Sequence, residues 1–279
     1  MAIIPVKINT LSEIHKTSKK KSSMNLHHKE MGSGKPLVIL HGLFGMSDNF
    51  ISIASELGKE FRVFIVDQRN HGRSGHSPVF SYEAMSDDLL EFLDAHDLEK
   101  AHLLGHSMGG KTVMQFAFDY PERIDRLIVA DISPAERTGN DQHKNLIDIM
   151  RGLDLSKYTS RVEVANTLED KVPSYRLRQF LLKNLYWKDR SSLGWRLNLE
   201  VIRDNLHEVF RAIRPSGSFD KPTLFLRGEK SDYIREKDEA LIQKMFPKAV
   251  FETIQDGTHW LHADNPEGFI EAVQPFLKG

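Results

Sequence analysis

Ala101-His102-Leu103-Leu104-Gly105-His106-Ser107-Met108-Gly109-Gly110 joins two patterns. Its first half is a short apolar run of the kind that forms a buried strand. Its second half opens a helical pattern in which Val113, Met114, Phe116 and Ala117 share a face. Between them Gly105-x-Ser107-x-Gly109 has the spacing of a nucleophile elbow, a sharp strand-to-helix turn that leaves a serine hydroxyl exposed. A side chain at 105 or 109 would clash across so tight a turn, and Gly110 extends the slim surface where helix and strand pack closely.

Outward from the elbow the same alternation repeats. Runs at 36–40, 62–67, 101–106, 126–131, 223–228 and 250–255 read as strands, and several are nearly continuous in Val, Ile, Leu and Phe. Such runs suit parallel strands covered on both faces, because a strand with one wet face would alternate. Helical patterns fall between them: Phe50, Ile53, Ala54 and Leu57, then Met85, Leu89, Phe92 and Leu93. The order predicts an α/β fold with a doubly wound, mostly parallel sheet. The alternation stops after Pro134 and resumes near Lys221. The intervening stretch shows no clear strand, and its helical faces are Leu146, Ile149, Met150 and Leu153, then Leu199, Ile202, Leu206, Phe210 and Ile213. We expect a core of residues 24–134 and 221–279 and a helical lid of 135–220 above the carboxyl ends of the strands, where open α/β sheets bind ligands. The last helix is expected to be capped by Asn265, with Pro266 at its first position, Phe269, Ile270, Val273 and Leu277 inward, and Pro275 bending or fraying its end.

Composition narrows the chemistry. Lys plus Arg (38) nearly cancels Asp plus Glu (39), so no long-range field favours nucleic acid, an anionic membrane or a highly charged substrate, and the partner is expected to be a small molecule. The 279 residues include no cysteine, which excludes disulfides, thiolate metal sites and a cysteine nucleophile. No apolar stretch approaches the ~20 residues of a membrane helix, and a cytoplasmic location is expected. Residues 1–23 carry Lys16, Lys19, Lys20 and Lys21 but no continuous apolar region of a secretory signal, and read as a flexible leader. Gly32-Ser33-Gly34-Lys35 fails as a phosphate loop, since position 29 is Lys and Pro36 stands where Ser or Thr would hold magnesium. No metal-binding motif appears, His27 and His28 would point to opposite faces of a strand, and no metal or cofactor is expected.

A serine hydroxyl needs a base within hydrogen-bond reach and a third group to hold that base. Of 13 histidines, His259 has the position: Asp256-Gly257-Thr258-His259 follows the last predicted strand and precedes the final helix. His262 reads as packing or capping at the helix start. Two carboxylates stand at strand ends for the third role, Asp131 and Asp232, and spacing favours Asp131. The negative oxygen formed when Ser107 attacks a carbonyl needs preorganised N–H donors. Met108, next to the serine, supplies one; His41-Gly42-Leu43-Phe44-Gly45 supplies the other, from Leu43 or, as the alternative, Phe44.

His41 to Gly45, Asp67-Gln68-Arg69-Asn70-His71-Gly72, Ser81-Tyr82-Glu83, Gly105 to Lys111, Asp131-Ile132-Ser133-Pro134, Trp195-Arg196-Leu197-Asn198 and Thr258-His259-Trp260 together resemble the YbfF-type esterases and their mitochondrial relatives in the α/β-hydrolase superfamily. The resemblance runs from Met24 to the C-terminus. It implies an α/β-hydrolase fold, the Asp of D-I-S-P as the acid, and an acyl ester of short to medium chain or an acyl-CoA thioester as substrate. Trp187, Trp195, Leu199 and Phe210 would then line an acyl channel in the lid. The chain departs from the pattern in carrying an acid at 232 and in its first 23 residues. Chemistries open on this scaffold are ester hydrolysis, a lyase or carbon–carbon hydrolase reaction, and ligand binding without useful turnover; dehalogenase and epoxide hydrolase relatives carry Asp where Ser107 stands.

Overall fold

A computed structural model describes residues 24–138, 141–215 and 217–279; the leader assigned to 1–23 lies outside the described residues. Seven strands form one sheet. In chain order they are β1 (His28–Met31), β2 (Lys35–Leu40), β3 (Phe61–Val66), β4 (Ala101–His106), β5 (Ile124–Ala130), then, numbered past two short strands described below, β8 (Thr223–Gly228) and β9 (Ala249–Ile254). Their spatial order is β1-β3-β2-β4-β5-β8-β9, and only β1 runs antiparallel to its neighbour. All six predicted strands are present within two residues of their expected bounds. β1 is the addition: its sequence His-Lys-Glu-Met is polar, as suits a half-exposed edge strand.

Along the central strands successive side chains enter different cores, the two-residue period of a pleated strand. Leu37, Ile39, Val63, Ile65, Leu104 and Ile128 pack on one face, together with α1 (Ile51–Leu57) and Phe269, Val273 and Leu277 of the C-terminal helix. Val38, Leu40, Phe64, Val66, Leu103 and Val129 pack on the other, against α2 (Tyr82–Ala95) and α3 (Met108–Asp119). Both faces being covered explains why these strands read as unbroken apolar runs.

Between β5 and β8 the chain forms α4 (Asp141–Arg151), α5 (Arg161–Glu169), α6 (Tyr175–Leu182), a hairpin of β6 (Leu185–Trp187) and β7 (Leu193–Trp195), then α7 (Leu199–Asp204) and α8 (Leu206–Phe210). The hairpin corrects the expectation of an insertion without strands; three-residue strands are too short to show a period. The single apolar face expected from Leu199 to Ile213 is also divided, because Asn205 leaves helical geometry and its side chain bonds back to Val201 O at 2.9 Å. The insertion's two ends run together: Arg137 N–H donates to Phe210 O at 2.9 Å and Ile213 N–H to Pro134 O at 2.9 Å.

After β8 come α9 (Glu236–Met245), β9, α10 (Leu261–Asp264) and α11 (Pro266–Lys278). Asn265 caps α11, accepting from Gly268 N–H at 2.8 Å, and the helix continues through Pro275 to Lys278. Among the described residues no helix is long and apolar enough to cross a membrane.

Candidate active site

Ser107 ends β4 and opens α3 with φ 54° and ψ −115°, a backbone region that non-glycine residues rarely occupy and that costs of order 1–3 kcal/mol. The turn tolerates nothing larger than glycine beside it. A Cβ at Gly105 would lie 2.2 Å from Gly109 O, and one at Gly109 would lie 2.5 Å from Leu40 O. The conformation lifts the Ser107 hydroxyl out of the sheet toward His259, whose Nε2 is 2.9 Å from the oxygen.

His259 sits in the loop between β9 and α10. Thr258 anchors that loop, its N–H and hydroxyl both bonded to Asp264 Oδ2, at 2.8 and 2.6 Å. Gly228, at the end of β8, makes room for the loop, since a Cβ there would meet Thr258 O at 2.5 Å. His259 Nδ1 faces Asp131 Oδ2 at 2.7 Å. Asp131 is fully buried at the end of β5, and its other oxygen accepts the Gly228 N–H at 3.1 Å. The Ser231 hydroxyl donates to Asp131 Oδ2 at 2.5 Å. With the carboxylate accepting at Nδ1, the proton of a neutral imidazole belongs on that nitrogen, leaving Nε2 able to take the serine's. Asp232 goes elsewhere: it is exposed and pairs with Arg235 at 2.6 Å and Arg137 at 3.3 Å.

The loop after β2 folds over Ser107. Gly45 N–H closes a turn onto Gly42 O at 2.9 Å, and Phe44 lies in the left-handed region at φ 61°. Gln68 braces this loop: its N–H donates to His41 Nε2 at 3.0 Å and its side-chain amide to His41 O at 2.6 Å. Met108 is the first residue of α3, so its N–H is one that a helix leaves without an internal acceptor. The Asn70 and Asn198 segments of the motif set also meet, through Asn198 N–H to Asn70 O at 3.0 Å, which ties the loop after β3 to the insertion.

Two spaces adjoin Ser107. A cleft of about 570 Å³ is walled by Leu43, Phe50, His106, Leu146, Phe180, His259 and Trp260, among others. A cavity of about 20 Å³ lies beside it, walled by Leu43, Tyr82, Met108, Ile132, Val209 and Phe210, among others. Of the four residues expected to line an acyl channel, Phe210 alone reaches either space. Trp187 is 43% exposed on the hairpin, Trp195 donates its indole N–H to Met150 O at 3.1 Å, and Leu199 is buried in the insertion's core. These three are packing or surface residues here, because an apolar side chain in an insertion has two interiors open to it.

Sequence reasoning missed Tyr233, which stacks on His259, and His143, which borders both spaces. Tyr233 lies just past the β8 loop that holds Ser231, and that position was its one available signal. Burial pushes His106 down to about 3 and His143 down to about 4. His262 is also lowered by burial and stacks on Phe50, centroids 4.2 Å apart, so it packs. Neutral His106 bonds through Nε2 to His259 O at 2.7 Å, holding the loop from beneath. Lys111, buried below the elbow and lowered to about 7 by desolvation, donates to Ala135 O at 3.1 Å, Phe210 O at 3.3 Å and Arg211 O. Among the described residues no cluster of three or more His, Asp or Glu could hold a metal ion.

The family model for the alpha/beta hydrolase fold matches residues 35–266. The chain is 40% identical over 253 residues to the sn-1-specific diacylglycerol lipase ABHD11 of Danio rerio, covering 88% of this chain and 80% of that protein. It is 33% identical over 247 residues to Esterase YbfF of Escherichia coli, covering 88% and 94%. Among solved structures a marine microorganism esterase superposes with a TM-score of 0.89 at 42% identity, covering 91% of this chain and 100% of that one.

Proposed function

The chain belongs to the alpha/beta hydrolase family, and on that premise we propose that it is a serine-dependent carboxylic ester hydrolase acting through Ser107, His259 and Asp131. The observation that carries this is the unbroken line from the Ser107 hydroxyl to His259 Nε2 at 2.9 Å and from Nδ1 to a buried carboxylate at 2.7 Å. Relatives named as an esterase and a lipase support the same reaction class.

In this mechanism the Ser107 oxygen bonds to the acyl carbon while its proton passes to His259 Nε2. The carbonyl oxygen takes the charge and is met by the N–H groups of Met108 and Leu43, with Phe44 as the alternative second donor. Asp131 stabilises the imidazolium. The carbon–oxygen bond to the leaving group breaks, and His259 returns the proton to the departing alcohol, or to the thiol of an acyl-CoA thioester. Water then gives a proton to His259 and attacks the acyl-enzyme, which releases the acid as Ser107 recovers its hydrogen. No cofactor is needed for any step. Residues 24–134 and 221–279 serve as the hydrolase core and 135–220 as its lid.

The test pairs Ser107→Ala with the parent protein. A fluorophosphonate probe should label the parent and not the variant, and turnover of p-nitrophenyl acetate should fall by roughly 10⁶ if the three residues act as a unit. Ester turnover retained in Ser107→Ala would overturn the assignment.

A further inference from the structure

The two spaces flanking Ser107 differ in volume, about 570 against 20 Å³, and they differ in which parts of the machinery they touch. His259 lines only the large cleft. Met108 lines only the small cavity, and Leu43 lines both. An ester carbon held at the Ser107 oxygen has three substituents to place. Its carbonyl oxygen must face the N–H groups of Met108 and Leu43. Its leaving oxygen must come within hydrogen-bond reach of His259 Nε2 to receive a proton. That directs the alcohol arm into the large cleft. The remaining substituent, the acyl chain, is left the small cavity.

We propose that this chain selects esters with a very short acyl group and a large alcohol, the reverse of an enzyme that takes long acyl chains from small alcohols. This deepens the proposed function and rests on it. A space of about 20 Å³ accommodates roughly one water molecule, and hence an acetyl methyl. The large cleft, at about 570 Å³, is within the range that holds a drug-sized molecule. Its walls include Phe50, Leu146, Phe180 and Trp260, so the alcohol it takes is apolar. One wall of the small cavity is Phe210, the last residue of α8. The Phe210 carbonyl is held by the Arg137 N–H and by Lys111, so its backbone is fixed independently of the ring, which packs edge-on against His143 with centroids 5.1 Å apart. Truncating the ring therefore enlarges the cavity and leaves those bonds in place.

The experiment compares two isomeric esters, decyl acetate and ethyl decanoate, by kcat/KM on the parent protein and on Phe210→Ala. Each methylene that a rigid apolar pocket refuses is worth about tenfold or more. The parent should therefore prefer decyl acetate by at least about 100-fold, and Phe210→Ala should narrow that preference at least tenfold by gaining on ethyl decanoate. Should Phe210→Ala not fold, Phe210→Leu carries the same comparison with a smaller shift. A parent that prefers ethyl decanoate, or accepts the two alike, overturns the proposal. Fluorophosphonate labelling of Ser107 in the same preparation separates the failures: labelled protein with the wrong preference refutes the division of the arms alone, whereas absence of labelling refutes the serine hydrolase reading beneath it.

Discussion

Tyr233 lies flat on His259, with ring centroids 3.6 Å apart and planes inclined by 19°. On the other face of the phenol the Arg137 guanidinium sits 3.9 Å from the ring centroid. The imidazole, held at its two nitrogens by Ser107 and Asp131, is thus restrained out of plane by a ring that is itself clamped. Contacts of this kind contribute about 0.5–1.5 kcal/mol beyond area burial. Tyr233→Ala should therefore lower kcat by roughly two- to tenfold, while Tyr233→Phe, which keeps the stack, should stay close to the parent. Steady-state ester hydrolysis separates them, and equal rates in all three proteins would show that the stack does not position His259.

The two candidate acids have opposite surroundings. Asp131 is fully buried and bonded to His259, Ser231 and Gly228, whereas Asp232 is exposed and occupied by two arginines. Asp131→Asn keeps the shape but no longer favours the Nδ1–H tautomer, and a loss of about 10⁴ in kcat is expected. Asp232→Asn should change kcat by less than about threefold, since it removes only exposed ion pairs. Loss of rate confined to the Asp232 variant would transfer the role.

Local signals and long-range ones divide what the residues reveal. The elbow is local: Gly105, Ser107 and Gly109 state their own geometry, because only glycine survives 2.2 and 2.5 Å approaches of backbone oxygen. The doubly wound sheet is equally legible, since parallel strands covered on both faces betray themselves as apolar runs. β1 escapes that signal because half its surface is wet. The choice between Asp131 and Asp232 depends on which arginines stand nearby, and Arg137 is 95 residues from Asp232 in the chain. Trp195 and Leu199 fail as channel residues for a related reason. Burial alone does not say whether a side chain faces a neighbouring helix or a cleft, and both of these face the insertion's own core.

Lys111 joins the insertion to the helix that opens at Ser107. Its ammonium donates to the carbonyls of Ala135, at the insertion's entry, and of Phe210 and Arg211, at its exit. Lys111→Met would fill the same channel and take the side-chain donor from the carbonyls of Ala135 and Arg211, while Phe210 O keeps the Arg137 N–H, at a cost of about 1–3 kcal/mol for each oxygen that water does not reach. A fall in Tm of at least roughly 4 °C is expected in thermal unfolding. An unchanged Tm would mean that the backbone pairing of 134–137 with 210–213 holds the insertion's ends without it.

Buried neutral histidines give the fold an acid limit. His71 and His106 are 0% and 4% exposed, and desolvation pushes both down to about 3. In the unfolded chain each would titrate near 6.5. Between those values the unfolded state binds the proton and the folded state does not, so stability is fully present above about pH 6.5 and falls as the solution is acidified toward 3. The slope reaches about 1.4 kcal/mol per pH unit for each such histidine. Tm should thus decline between pH 6.5 and 5 on account of these histidines, before most carboxylates titrate. His106→Gln removes one titrating group, so its decline should be shallower than the parent's by up to about 1.4 kcal/mol per pH unit over that interval. Parallel curves for the two proteins would mean that His106 already carries its proton in the fold. Its bond to the His259 carbonyl would then be that of a charged ring, one that places a positive charge beside the His259 imidazole.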